Sequence, residues 1–153
     1  MKNSFRLNLI VLTLALPFII ASCNDDNSVP NVQFNFSERG GIQHNGALYV
    51  ENGDSICIDK ISIIPGSDVP KAIISACDYY WDGFYVGPAF APNFGRKFLI
   101  YNQREGKHAM SVRMLIAAEG YSLTTYVTSF PVIVTNSIDS ITADGTDLFS
   151  LRN

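Results

Sequence analysis

The chain has 153 residues, 47% of them hydrophobic and only 16% charged, with a formal net charge of −3. That length suits one domain and excludes a multidomain machine, while the acidic balance argues against nucleic acid as a partner. The averages conceal two unlike parts, a short apolar leader and a longer globular sequence.

Lys2 and Arg6 precede an apolar run from Leu9 to Ala21, which ends in the small residues Ala21 and Ser22. A basic stretch, an apolar stretch and a small-residue exit, in that order, make a secretory signal over residues 1–22. The run is shorter than the roughly 20 residues a membrane-spanning helix needs, and Pro17 interrupts it. Ile20-Ala21-Ser22-Cys23 resembles the bacterial lipobox. The resemblance implies cleavage between Ser22 and Cys23, with a diacylglycerol thioether and an N-acyl chain such as palmitate on Cys23. One acyl chain anchors weakly and several anchor firmly, so a firm membrane anchor is expected, and the resemblance implies the bacterial outer membrane as its address. Residues 23–30 then read as the lipidated cysteine followed by a flexible acidic tether. Asp25 and Asp26 within it resemble the surface-export signal of Bacteroidota lipoproteins, which leaves exposure at the cell surface open. Loss of Lys2 and Arg6 with the signal takes the net charge to −5.

From Asn31 onward the chain reads as strands. Val32 to Phe36 alternates apolar and polar residues. Asn45-Gly46 is a strong hairpin signal, with a strand from Ala47 to Val50 after it, and Asn52-Gly53 precedes an isoleucine-rich strand from Ser55 to Ile64. Pro65 to Asp68 is a turn, Lys71 to Trp81 a strand, and Asp82-Gly83 a second tight turn into Phe84-Tyr85-Val86. Pro88, Pro92 and Gly95 mark an irregular crossing before Lys97 to Tyr101. In the next strand His108, Met110, Val112, Met114, Ile116 and Ala118 share one face, with Ser111 and Arg113 on the other. Along Tyr121 to Thr135 the apolar residues change from odd positions (Leu123, Val127) to even ones (Phe130, Val132, Val134), which predicts a bulge near Ser129-Phe130-Pro131.

About seven to nine such strands predict an all-β, immunoglobulin-like antiparallel β-sandwich over residues 31–136. Residues 137–153 read as a tail or a short final strand. Tyr79-Tyr80-Trp81-Asp82-Gly83, Val86-Gly87, Pro92, Phe94 and Gly106-Lys107-His108 together resemble bacterial immunoglobulin-like modules of Bacteroidota surface lipoproteins. The resemblance covers about residues 49–135 and implies a fold and a setting, with no active-site residues to carry over.

Neither histidine, His44 nor His108, lies in a nucleophile context such as Gly-x-Ser-x-Gly, and no cluster has metal-ligand spacing. No catalytic residue, metal or cofactor is therefore expected beyond the lipid on Cys23. Asp139, Asp144 and Asp147 lack the spacing of a calcium loop. Cys57 is in phase with Ile61 and Ile63, and Cys77 with Tyr79 and Trp81, so both read as inward-facing. They either bridge, closing a loop worth about 3 kcal/mol, or stay as small buried thiols. Nine aromatics crowd residues 79–101, and core packing should claim at least two thirds of them. Tyr80 and Tyr85 are the candidates for an exposed ligand surface, with Asp78 and Asp82 as hydrogen-bond acceptors. The expected role is non-catalytic presentation of a surface to an envelope protein or glycan. Two alternatives stand beside it, an accessory carbohydrate-binding lipoprotein and a small envelope enzyme.

Overall fold

The computed structural model describes residues 29–149. The signal, Ser22, Cys23 and most of the tether lie outside them. The described chain contains nine strands: β1 (Val32–Arg39), β2 (Ile42–His44), β3 (Ala47–Glu51), β4 (Ser55–Pro65), β5 (Ala72–Trp81), β6 (Phe84–Ala89), β7 (Arg96–Leu99), β8 (Gly106–Ala118) and β9 (Thr124–Thr135). They form two sheets, β1-β4-β7 and β2-β3-β9-β8-β5-β6, packed as an immunoglobulin-like β-sandwich. One pairing departs from the antiparallel rule. The short β3 adds parallel to β9, with Leu48 opposite Val132.

Alternation builds the core. Val32, Phe34 and Phe36 of β1 face Met110, Val112, Met114 and Ile116 of β8 and Phe130, Val132 and Val134 of β9, all buried. Each such side chain withdrawn from water contributes about 1.5–3 kcal/mol before the ordering cost. The Pro88–Gly95 segment crosses from the six-stranded to the three-stranded sheet as the sequence implies, and the buried Tyr79 hydroxyl pins it by donating to the Phe94 carbonyl at 2.8 Å.

Three sequence expectations need correction, and a bulge explains one of them. β9 has no bulge at Ser129-Phe130-Pro131: its register with β8 runs unbroken from Thr124 to Val134. Even positions point inward throughout, and Leu123 and Val127 simply face solvent. The real bulges lie at Asp59 in β4, Ser75 in β5 and Val86 in β6, each an extra residue that its partner strand skips. The Asp59 bulge reverses the phase of β4, so Ile56, Ile58 and Ile61 are buried and Cys57 faces outward. Cys57 and Cys77 accordingly sit in different sheets, one outside and one inside, and are free thiols rather than a disulfide. Third, residues 137–149 form no strand, yet Leu148 and Phe149 are buried. Phe149 stacks on Phe130 with ring centroids 4.5 Å apart, and its carbonyl accepts the Phe36 N–H. The packed unit therefore continues past residue 136.

Candidate interaction surface

The β5–β6 hairpin turns on Asp82 (φ 49°) and Gly83 (φ 81°), the paired left-handed conformations of a tight hairpin turn. Asp82 is fully engaged. Its N–H donates to the Ala109 carbonyl, Oδ1 accepts the Ala109 N–H at 2.8 Å, and Oδ2 lies 2.6 Å from His108 Nδ1. The turn is thus fastened to the start of β8, with both Asp82 oxygens already accepting a hydrogen bond there. Asp78 is also committed, to Arg113 at 2.7 Å.

Beyond the turn, Phe84 is 78% and Tyr85 60% exposed. Core packing claims fewer aromatics than the sequence suggested. Of the nine, Tyr79, Phe94 and Phe98 are buried, Tyr80 and Trp81 half-buried, and Phe84, Tyr85, Phe90 and Tyr101 exposed. The reason is position, because β6 is the edge of the six-stranded sheet and β7 the edge of the other. Tyr80 and Tyr85 are cross-strand partners on the outer face, packed edge to face with centroids 5.7 Å apart and planes at 66°. The Arg113 guanidinium lies 5.7 Å from the centre of the Tyr80 ring, a cation–π contact that continues the Asp78 ion pair. Next to them across β8 and β9, Ser111 and Ser129 share a hydrogen bond of 2.8 Å.

The edge backbone is closed by a residue the sequence reading did not single out. Arg96, on β7, donates from Nη1 to the Pro88 carbonyl and from Nη2 to the Val86 carbonyl, both at 2.9 Å. Gly87 makes room for it, since a Cβ there would come within 2.9–3.2 Å of the guanidinium, and its φ of 144° disfavours other residues. Pro88 has no N–H to offer. An added strand therefore meets little free backbone here, so what this edge offers a partner is its side chains. Below it a groove of about 240 Å³ is lined by Trp81, Val86, Phe98 and Leu99, with Lys97 and Gln103 at its polar side.

The other candidates sit apart. His44, at the β2–β3 turn, lies 3.6 Å from Asp144, with β3 and β9 between its strand and that of His108. Among the described residues no three His, Cys, Asp or Glu side chains gather to hold a metal. Asp144 accepts the Asn45 and Thr146 N–H groups, and Asp147 the Phe149 N–H, so both serve as turn caps. Burial pushes the Cys77 thiol up to about 12 and holds it protonated. Cys57, between Arg39 and Asp59, is more accessible. Its thiol is also raised, by desolvation and by its hydrogen bond to Asp59.

No protein-family model matches the chain, and no curated protein does. Solved structures that resemble it include the fibronectin(III)-like modules of CbhA from Clostridium thermocellum. That match has 16% identity and a TM-score of 0.42, and covers 66% of this chain and 94% of the module. Another is the endo-beta-1,4-mannanase from Thermotoga petrophila, at 11% identity and a TM-score of 0.43. It covers 74% of this chain but only 22% of the mannanase.

Proposed function

We propose that this chain is a lipid-anchored protein of the bacterial outer membrane whose sandwich is a non-catalytic module that docks a protein partner through the β5–β6 hairpin. The observation that carries the reading is the exposure of Phe84 and Tyr85 on an edge whose carbonyls Arg96 already occupies. Large aromatics are favoured anchors of protein interfaces, and here the sheet fixes them before binding, so little further ordering is needed. A flat sugar platform fits less well. The two tyrosine planes meet at 66°, and Arg113 covers part of Tyr80.

The polarity of the sandwich supports the same reading. The chain enters beside β9, where the Tyr126 hydroxyl donates to the Pro30 carbonyl, and beside the end of β4, where Gly66 N–H donates to the Asn31 carbonyl. The start of β4 is braced to the β7–β8 loop through Gly53 and Ile100, and that loop is in turn braced to the β5–β6 turn through His108. The eleven residues of β4 separate these ends by roughly 36 Å at about 3.3 Å per residue. The hairpin thus lies at the end of the sandwich opposite the one where the chain enters, free of a tether that starts at Cys23 as proposed.

Two variants test the two halves of the proposal separately. Cys23→Ala should move the protein from the detergent to the aqueous phase on partition, and retention in detergent would refute the lipid anchor. In intact cells, Phe84→Ala with Tyr85→Ala should lower the recovery of a crosslinked partner at least tenfold, as loss of interface anchors does. Undiminished recovery would refute the docking surface.

A further inference from the structure

We infer that His108 is a proton-operated latch that holds the β7–β8 loop in place and releases it when the imidazole loses its proton. The ring lies between two acceptors: the Asp82 carboxylate, 2.6 Å from Nδ1, and the Arg104 main-chain carbonyl, 2.6 Å from Nε2. Trp81 stacks on the ring at 5.3 Å and 26°, fixing its plane. A neutral imidazole has one N–H and one lone pair, so it satisfies only one of these acceptors. The doubly protonated ring satisfies both.

The neutral ring keeps its proton on Nδ1, because a carboxylate is the stronger acceptor. The proton lost to solvent is then the one on Nε2, which leaves a nitrogen lone pair facing a carbonyl oxygen. The hairpin stays fastened through Asp82, which also holds the Ala109 backbone, and the contact that breaks is the one to Arg104. The β5–β6 turn, β5, the β7–β8 loop and the paired β9, which sets the apolar Val132 opposite His108, flank the ring. The β5–β6 turn presents the Asp82 carboxylate, β5 presents the uncharged indole of Trp81, and the β7–β8 loop presents the Arg104 main-chain carbonyl. Desolvation pulls the His108 pKa down, but the Arg104 carbonyl and the Asp82 carboxylate outweigh it, so the net shift is upward from 6.5. The latch is therefore fully closed below the ordinary histidine pKa and opens as pH rises through the raised one. What it releases is the stretch around Arg104, between Gln103, which exchanges two hydrogen bonds with Asn52, and Glu105, which reaches across to the Asn136 N–H.

Amide hydrogen exchange and ring NMR on the same full-length sample test this without a partner. The His108 ring should titrate above 6.5, and the segment from Asn102 to Glu105 should lose at least threefold in intrinsic-rate-corrected protection with the same midpoint. The Asp82 and Ala109 amides should change little. His108→Gln, whose single amide nitrogen cannot bridge both acceptors, should show the high-pH loop at every pH. Loop protection that ignores the ring titration, or a His108→Gln variant that keeps the wild-type pH dependence, would overturn the latch. A folded spectrum of His108→Gln, required for this reading, separates it from simple unfolding; if that variant unfolds, Asp82→Asn, which lowers the ring pKa, should move the loop midpoint down, and an unmoved midpoint would overturn the latch equally.

Discussion

Asn45-Gly46 and Asp82-Gly83 adopt the same pair of left-handed conformations, and each turn has a histidine beside it, His44 and His108. Their surroundings differ. Over the β2–β3 hairpin the chain folds back on itself: Asp144 accepts the Asn45 N–H, Gln43 accepts the Leu148 N–H, and Leu148 and Phe149 enter the core. The β5–β6 hairpin is fastened at its turn by His108 and Ala109 and along its edge by Arg96, yet no later segment among the described residues covers it, and Phe84 and Tyr85 stay in water. A tight-turn motif specifies the local twist. Whether the turn is structural or available for docking depends on what later chain covers its flanks.

The largest effect should follow from uncovering the first hairpin. Phe149→Ala removes a buried ring stacked on Phe130 and should cost about 3–5 kcal/mol in urea unfolding, with exchange protection lost first in β2 and β3. A loss below about 1 kcal/mol would mean that the closing segment is dispensable. Gly87→Ala forces a strained φ and pushes on the Arg96 guanidinium, for about 1–3 kcal/mol by the same assay. It should also free the Val86 and Pro88 carbonyls, giving a variant more prone to self-association on size-exclusion chromatography.

The pH responses of the two hairpins should run in opposite directions. Hydrogen bonds from Thr146 and Asn45 hold the Asp144 carboxyl well below 3.8, so its contribution is present above that value and lost as pH falls. Asp144→Asn should flatten this acid limb of the melting curve while leaving the alkaline limb set by His108 intact. Thiol labelling gives a smaller but cleaner contrast between the two sheets. Cys57 should react in the native protein, whereas Cys77 should wait for unfolding. Least of all, Phe84→Ala and Tyr85→Ala should each shift stability by no more than about 0.5 kcal/mol, since neither side chain packs in the core.

Much of the fold was legible because alternation is local. The inward sets of β1 and β8 and both tight turns follow from a few neighbouring residues. Phase is less local than alternation. A bulge adds one residue without a compositional mark, so Asp59 turned Cys57 outward, while the apparent phase change in β9 came from Leu123 and Val127 being apolar and exposed. The candidate surface was half legible. Tyr85 and Tyr80 follow from period two, but the exposure of Phe84 depends on β6 being an edge, and sheet order is not local. Arg96 gave no signal either, because its partners are backbone carbonyls on another sheet, reached only once the crossing has folded. Leu148 and Phe149 carried a faint one, as two adjacent apolar residues in a polar tail.

The central claim is that the β5–β6 hairpin, and not its counterpart, is the docking surface. Site-specific photocrosslinking in intact cells tests it, with a photoreactive phenylalanine analogue placed at position 84 or at position 45. The account predicts a discrete protein adduct from position 84 that disappears with Tyr85→Ala, and none from position 45. Adducts from position 45 alone, or equally from both positions, would contradict it.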